Sequence, residues 1–153
     1  MKKLLSLILI TISLFAFAQT STANKKINYN VNSNNVGIEG YDPVAYFTKN
    51  KAIKGDSKIQ TKYDNVIYHF ATQEDKKIFD ANPIKYIPQY GGWCAYAVGA
   101  NGKKVEINPS TFKILDGKLY LFYNKNFTNT LPKWNKDEAN LKKKADENWK
   151  KIK

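Results

Sequence analysis

The strongest local constraint on the fold is an Asp116-Gly117 pair between two strand-like runs, residues 112–115 and residues 118–123. A type I′ turn, one of the two favoured two-residue hairpin turns, needs positive φ at both positions, and Asp-Gly is one of the pairs that tolerate it best. The runs on either side are rich in aliphatic and aromatic residues, as strands are. The sequence therefore predicts an antiparallel β-hairpin here.

A second hairpin is predicted at residues 59–63 and 66–70, which flank an Asp-Asn pair at residues 64–65. In the second of these strands, alternation places His69 on the same face as Ile67 and opposite the other apolar residues. His69 is the only histidine of the chain. We expect its ring to be at least partly buried.

Helices are predicted between and after the hairpins. Thr72 is the expected N-cap of a helix that Asn82-Pro83 ends. Residues 93–98 fit a helix or a strand equally well. The C-terminal part is predicted to form an amphipathic helix, because apolar residues recur there at helical spacing; they are Trp134, Leu141, Ala145, Trp149 and Ile152. The predicted fold class is α+β, with a small antiparallel sheet built from hairpins and packed helices.

The N-terminus predicts export. Two lysines precede an apolar run that ends in Ala-Phe-Ala, so residues 1–18 are expected to be a cleavable signal peptide and the mature protein to be periplasmic or secreted. The run is short for a transmembrane helix, and we expect no stable membrane insertion after cleavage. Residues 19–35 are expected to be a flexible leader, because they are polar and lack periodicity. Residues 36–153 are expected to be one domain.

Composition narrows the set of partners. The formal net charge of +12 falls to +10 when Lys2 and Lys3 leave with the signal, and every basic residue is a lysine. Specific phosphate recognition usually uses the bidentate arginine fork, so nucleic acid is not an expected partner. The chain has one cysteine, Cys94, and hence no internal disulfide. A core rich in aromatic side chains must hold the fold instead.

Several segments carry a resemblance to a known family; they are Gly40-Tyr41-Asp42-Pro43-Val44-Ala45-Tyr46-Phe47, Tyr68-His69-Phe70, Asn82-Pro83-Ile84-Lys85-Tyr86, Tyr90-Gly91-Gly92-Trp93-Cys94-Ala95 and Asp116-Gly117-Lys118-Leu119-Tyr120-Leu121. They resemble the YHS-domain family in its exported single-domain members. Members of that family occur in copper-transporting ATPases and some hydroxylase components. The resemblance implies a metal-binding function, with copper as the candidate ion and cysteines as ligands.

The chain departs from the cysteine-bearing members at two places. Val44-Ala45 and Ala71-Thr72 stand where those members have cysteines. A metal site must then be built around His69 and Cys94, with Asp42 as a third candidate ligand. A structural zinc site needs four Cys or His ligands, and a blue-copper site needs a second histidine.

Three interpretations follow for these residues. The first is a soft-metal site for copper(I) at His69, Cys94 and Asp42, or one shared in a homodimer, whose two copies would supply two sulfurs and two nitrogens. The second is a small-ligand or protein interaction module in which His69 and Cys94 are structural. The third is a Cys-His hydrolase, although the sequence signals no orienting group or oxyanion hole. We expect a non-catalytic protein.

Overall fold

The computed structural model describes residues 27–153, so the predicted signal peptide lies outside the described residues. This part of the chain is an α+β domain with three separate two-stranded antiparallel sheets, and the predicted fold class is confirmed. The strands are β1 (Asp56–Tyr63), β2 (Val66–Phe70), β3 (Asn108–Leu115), β4 (Lys118–Phe122), β5 (Asn124–Lys125) and β6 (Thr128–Asn129). The helices are α1 (Ala45–Thr48), α2 (Gln73–Ala81), α3 (Pro83–Tyr86), α4 (Ala95–Asn101), α5 (Leu131–Asn135) and α6 (Glu138–Ile152). Short turns that contain left-handed residues occur at Ile38–Gly40 and Gln89–Gly92.

The first hairpin pairs β1 with β2 around Asp64 and Asn65, whose φ values of 46° and 65° are those of a tight turn with two left-handed residues. Strand β1 begins three residues earlier than predicted, at Asp56, and its register shifts between Asp56 and Gln60. In β2, the residues on the face opposite His69 are buried in the core, as the alternation predicted.

The second hairpin pairs β3 with β4 around Asp116 and Gly117, with φ values of 50° and 67°. Strand β4 is buried on both faces, which explains its continuous apolar sequence. Its residues Leu119 and Leu121 join one core cluster, while Tyr120 and Phe122 join a second. The strand thus connects the two clusters into the interior of one domain.

The helices cover these hairpins. Thr72 is the N-cap of α2, as predicted, and its hydroxyl accepts the backbone N–H of Asp75 at 3.0 Å. Residues 93–98, which fitted either element, lie mostly in α4. Trp134 belongs to the separate short helix α5, so the predicted C-terminal helix begins only at Glu138. Among residues 27–153, no helix has the length and apolar character that a membrane span requires.

Part of the predicted leader is packed against the domain. The sequence indicated a flexible leader over residues 19–35, of which residues 19–26 lie outside the described residues. Residues 28–31 lie against the domain and are held there by hydrogen bonds. Val31 forms an isolated bridge with Gly37 across a tight turn over residues 32–35. The prediction missed this contact because its hydrogen bonds use backbone groups, one amide side chain and one indole, which leave no apolar periodicity in the sequence.

Candidate functional site

His69 lies on the outer face of the first hairpin, half-buried, opposite Gln60 in the register. Its ring lies over Gly40, where a Cβ would lie 3.1 Å from Nδ1, and its backbone and Cβ adjoin Gly55, where a Cβ would lie 2.7 Å from the His69 Cβ. Burial and then the ammonium group of Lys54 lower the pKa of His69, so the neutral imidazole is favoured near pH 7. The surroundings of this ring are therefore Gly40 and Lys54, which precede the first hairpin in the chain.

Cys94 lies at the N-terminal end of α4 and is fully buried. Its Sγ accepts the backbone N–H of Tyr123 at 3.3 Å and lies 3.4 Å from the Thr130 hydroxyl oxygen. That hydroxyl donates its only proton to the Tyr123 carbonyl oxygen at 3.0 Å, so the thiol is the donor toward Thr130. The thiol is thus a satisfied donor and acceptor between α4, β4 and α5.

Asp42 is also fully buried, and both of its carboxylate oxygens accept backbone N–H groups. Oδ1 accepts from Val44 at 2.8 Å and from Ala45 at 3.2 Å, which caps the start of α1. Oδ2 accepts from Ala71 at 2.7 Å, at the end of β2. Burial raises the pKa of Asp42 in spite of these donors. This carboxyl group ties α1 to the first hairpin.

A second carboxylate, Asp75, adjoins Asp42 and is almost completely buried. Its Oδ2 accepts from Lys49 Nζ at 2.7 Å and from the Thr72 hydroxyl at 2.9 Å. Burial alone would raise the pKa of Asp75, but the Lys49 ammonium and the Thr72 hydroxyl hold it below its ordinary value. Asp42 and Asp75 therefore titrate as a pair, with the proton favoured on Asp42.

The three predicted site residues do not come together. Cys94 lies in the core beside Thr130, Asp42 caps α1, and His69 lies over Gly40 on the outer side of the first hairpin. Within residues 27–153, no group of three or more His, Cys, Asp or Glu side chains is arranged to hold a metal ion. Because the thiol and the carboxylate are already hydrogen-bonded, this donor set does not fit one copper ion within a single chain.

The loop over residues 90–93, the YGGW loop, is a feature that the sequence pattern only hinted at. Tyr90, Gly91 and Gly92 are all left-handed, with φ values of 54°, 61° and 84°. Glycine tolerates these angles, whereas a tyrosine there is strained. The Tyr90 hydroxyl donates to Asp146 at 2.9 Å, and a Cβ at Gly91 would lie 2.9 Å from the Trp149 ring. Helix α6 therefore holds the loop in its strained shape.

The YGGW loop holds residues 28–31, which we call the N-terminal strap. The backbone N–H of Asn30 donates to the carbonyl of Gly91 at 2.9 Å. The side-chain amide of the same residue donates to the carbonyl of Gly92 at 3.0 Å. Two successive carbonyls of the loop thus accept hydrogen bonds from one asparagine of the strap.

A third hydrogen bond joins the indole Nε1 of Trp93 to the carbonyl of Asn28 at 2.8 Å. Beneath the strap lies a recess of about 10 Å³, which is roughly the space of a single water molecule. Small-molecule sites usually measure about 300–1,000 Å³, so this recess does not hold a typical organic ligand. Its lining residues are Tyr29, Asn30, Val31, Gly37, Ile38, Val66, Tyr68, Pro88, Gly91 and Gly92.

The sequence contained a signal for this loop, because paired glycines before Trp93 permit unusual angles or a close approach. Both uses occur here, since Gly91 and Gly92 are left-handed and their carbonyls meet the strap. The missing information was which segment approaches, since the strap lies about sixty residues earlier in the chain.

The described residues form a small α+β domain in which the strained YGGW loop binds the N-terminal strap of the same chain. No protein-family model, no curated protein and no solved structure matches the chain. The YHS resemblance therefore stays a prediction from the sequence motifs.

Proposed function

We propose that this chain is an exported, non-catalytic interaction module of the YHS type, in which Asp42 and Cys94 are structural residues. The observation that carries the proposal is the environment of Cys94. A thiol that is fully buried, donates to Thr130 and accepts from Tyr123 is occupied as part of the core. A metal ligand or a nucleophile would need to be a thiolate with access to its target.

The position of His69 supports the same proposal. A Cys-His nucleophile pair requires the two side chains within hydrogen-bonding distance, or joined by one water. The contacts of Cys94 are with Thr130 and Tyr123, whereas His69 lies against Gly40 and the residues around Lys54. Neither the soft-metal nor the hydrolase interpretation gains support from this placement. Export and the YHS assignment rest on the sequence motifs.

The test is a metal titration of reduced mature protein with copper(I) and zinc(II) against a competing chelator. It compares the wild type with Cys94→Ser, His69→Ala and the control Gln60→Ala, which alters the residue opposite His69 on the same hairpin. We expect the four proteins to compete equally weakly for either ion. Affinity at least tenfold higher in the wild type and Gln60→Ala than in the other two would overturn the proposal in favour of a soft-metal protein. Turnover of a thioester substrate that disappears in Cys94→Ser would overturn it in favour of a hydrolase.

A further inference from the structure

The N-terminal strap is bound in the manner of an extended peptide ligand. Its backbone N–H at Asn30 and its carbonyl at Asn28 are both used by the YGGW loop, and Val31 continues the contact as a bridge to Gly37. Peptides that bind by strand addition gain affinity from main-chain hydrogen bonds and specificity from individual side chains. In the strap, the side chain that supplies specificity toward the loop carbonyls is the Asn30 amide, while the Tyr29 hydroxyl donates to Asp64 and its ring packs against the core.

The YGGW loop has contacts with α6 that hold its shape. Its left-handed run is held by the Tyr90 hydroxyl bond to Asp146 and by the packing of Gly91 against Trp149. The strap adds to this packing, because a Cβ at Gly91 would also lie 3.3 Å from the ring of Tyr29. Backbone strain of this kind persists only where the surroundings impose it, and it clusters at binding sites. Helix α6 therefore contributes restraints on the acceptor carbonyls of Gly91 and Gly92 that do not depend on the strap.

We propose that the YGGW loop is a docking site for an extended polypeptide that carries an asparagine side chain, and that the N-terminal strap occupies it within the same chain. This inference rests on the proposed function, because it gives the interaction module its binding surface. A tethered segment acts at an effective concentration in the millimolar range for a short linker. The strap therefore excludes a competing peptide until the hydrogen bonds between the strap and the loop are weakened.

The test uses the full mature chain with Asn30→Ala and the control Asn28→Ala. Both variants change an asparagine of the strap, but Asn28 contributes only its backbone carbonyl. The probe is a fluorescein-labelled peptide with the sequence of residues 27–33, and binding is read by fluorescence anisotropy. We expect Asn30→Ala to bind the peptide at least tenfold more tightly than the wild type or Asn28→Ala. A probe peptide with Asp in place of Asn30 should bind Asn30→Ala about tenfold more weakly, because the amide donors are lost.

Trp93→Phe is a second variant that weakens the contact between the strap and the loop, because it removes the indole donor to the Asn28 carbonyl. We expect this variant to gain peptide binding as Asn30→Ala does, with an unchanged circular dichroism spectrum. If neither folded variant binds the peptide more tightly than the wild type, the docking site is refuted and the strap is ordinary terminal packing. The assay contains no metal ion, so this failure is separate from failure of the proposed function, which the metal titration reports.

Discussion

Replacement of Cys94 by alanine should destabilise the domain through its hydrogen bonds as well as its packing. Loss of the fully buried sulfur removes about 1 kcal/mol of apolar burial. The Tyr123 N–H, which donates to Sγ at 3.3 Å, would lose its acceptor at a cost of about 1–3 kcal/mol. We therefore expect Cys94→Ala to lower the free energy of unfolding by about 2–4 kcal/mol.

Serine at this position should cost less than alanine, because its hydroxyl can still donate to Thr130 and accept from Tyr123. The assay is urea unfolding followed by tryptophan fluorescence, with and without a strong chelator. If Cys94 is structural, the chelator leaves both losses unchanged, and a thiol reagent reacts with the wild type only after unfolding. A loss below about 0.5 kcal/mol for Cys94→Ala, a value usual for surface sites, or rapid thiol reaction in the folded protein, would refute this reasoning.

Three further changes test other parts of the structure. Gly117→Ala should cost about 1 kcal/mol from its left-handed φ alone, because a Cβ there would meet nothing within 4 Å. Gly99→Ala should cost more, about 1–3 kcal/mol, because a Cβ would lie 2.5 Å from the Leu141 carbonyl oxygen; equal losses in urea unfolding would contradict the close approach of α4 and α6. The single imidazole signal in NMR should titrate below the ordinary value of 6.5 because the pKa of His69 is lowered, and Lys54→Gln should move the midpoint upward. Because the folded-state pKa is the lower one, the contribution of the neutral ring to stability is fully present above pH 6.5 and is lost as the pH falls from there through the lowered pKa. A midpoint that Lys54→Gln leaves in place would contradict the electrostatic part of this account.

The hairpins could be predicted from the sequence because their determinants are local. The Asp116-Gly117 and Asp64-Asn65 pairs each adopt the two left-handed angles that a two-residue turn requires. The N-cap at Thr72 is similarly local, since its partner Asp75 is three residues away. At these places, the residues that specify the structure are also the residues that form it.

The positions of the candidate site residues depend on contacts between distant segments, which no local sequence pattern specifies. Alternation correctly placed His69 on the face of its strand that carries Ile67 and opposite the buried residues, yet it gave no information on where Cys94 would lie. The thiol is satisfied by Tyr123 and Thr130, both about thirty residues away, and neither belongs to a recognisable ligand pattern. Soft side chains on two distinctive motifs therefore suggested a shared site, whereas the fold uses each of them separately.

Two runs of left-handed residues flank the recess beneath the strap. The features that they share indicate how the backbone of the docking surface is fixed in position. Residues 38–40 have φ values of 51°, 51° and 79°, and residues 90–92 have 54°, 61° and 84°. Each run ends in a glycine and begins with a strained residue, Ile38 or Tyr90, whose side chain is buried. Burial of a large apolar side chain contributes about 1.5–3 kcal/mol, which is comparable to the strain of about 1–3 kcal/mol at such a residue. The core thus anchors one end of each run. The glycine ends are left to approach other segments, and at Gly92 the carbonyl accepts the side-chain amide of Asn30 in the strap.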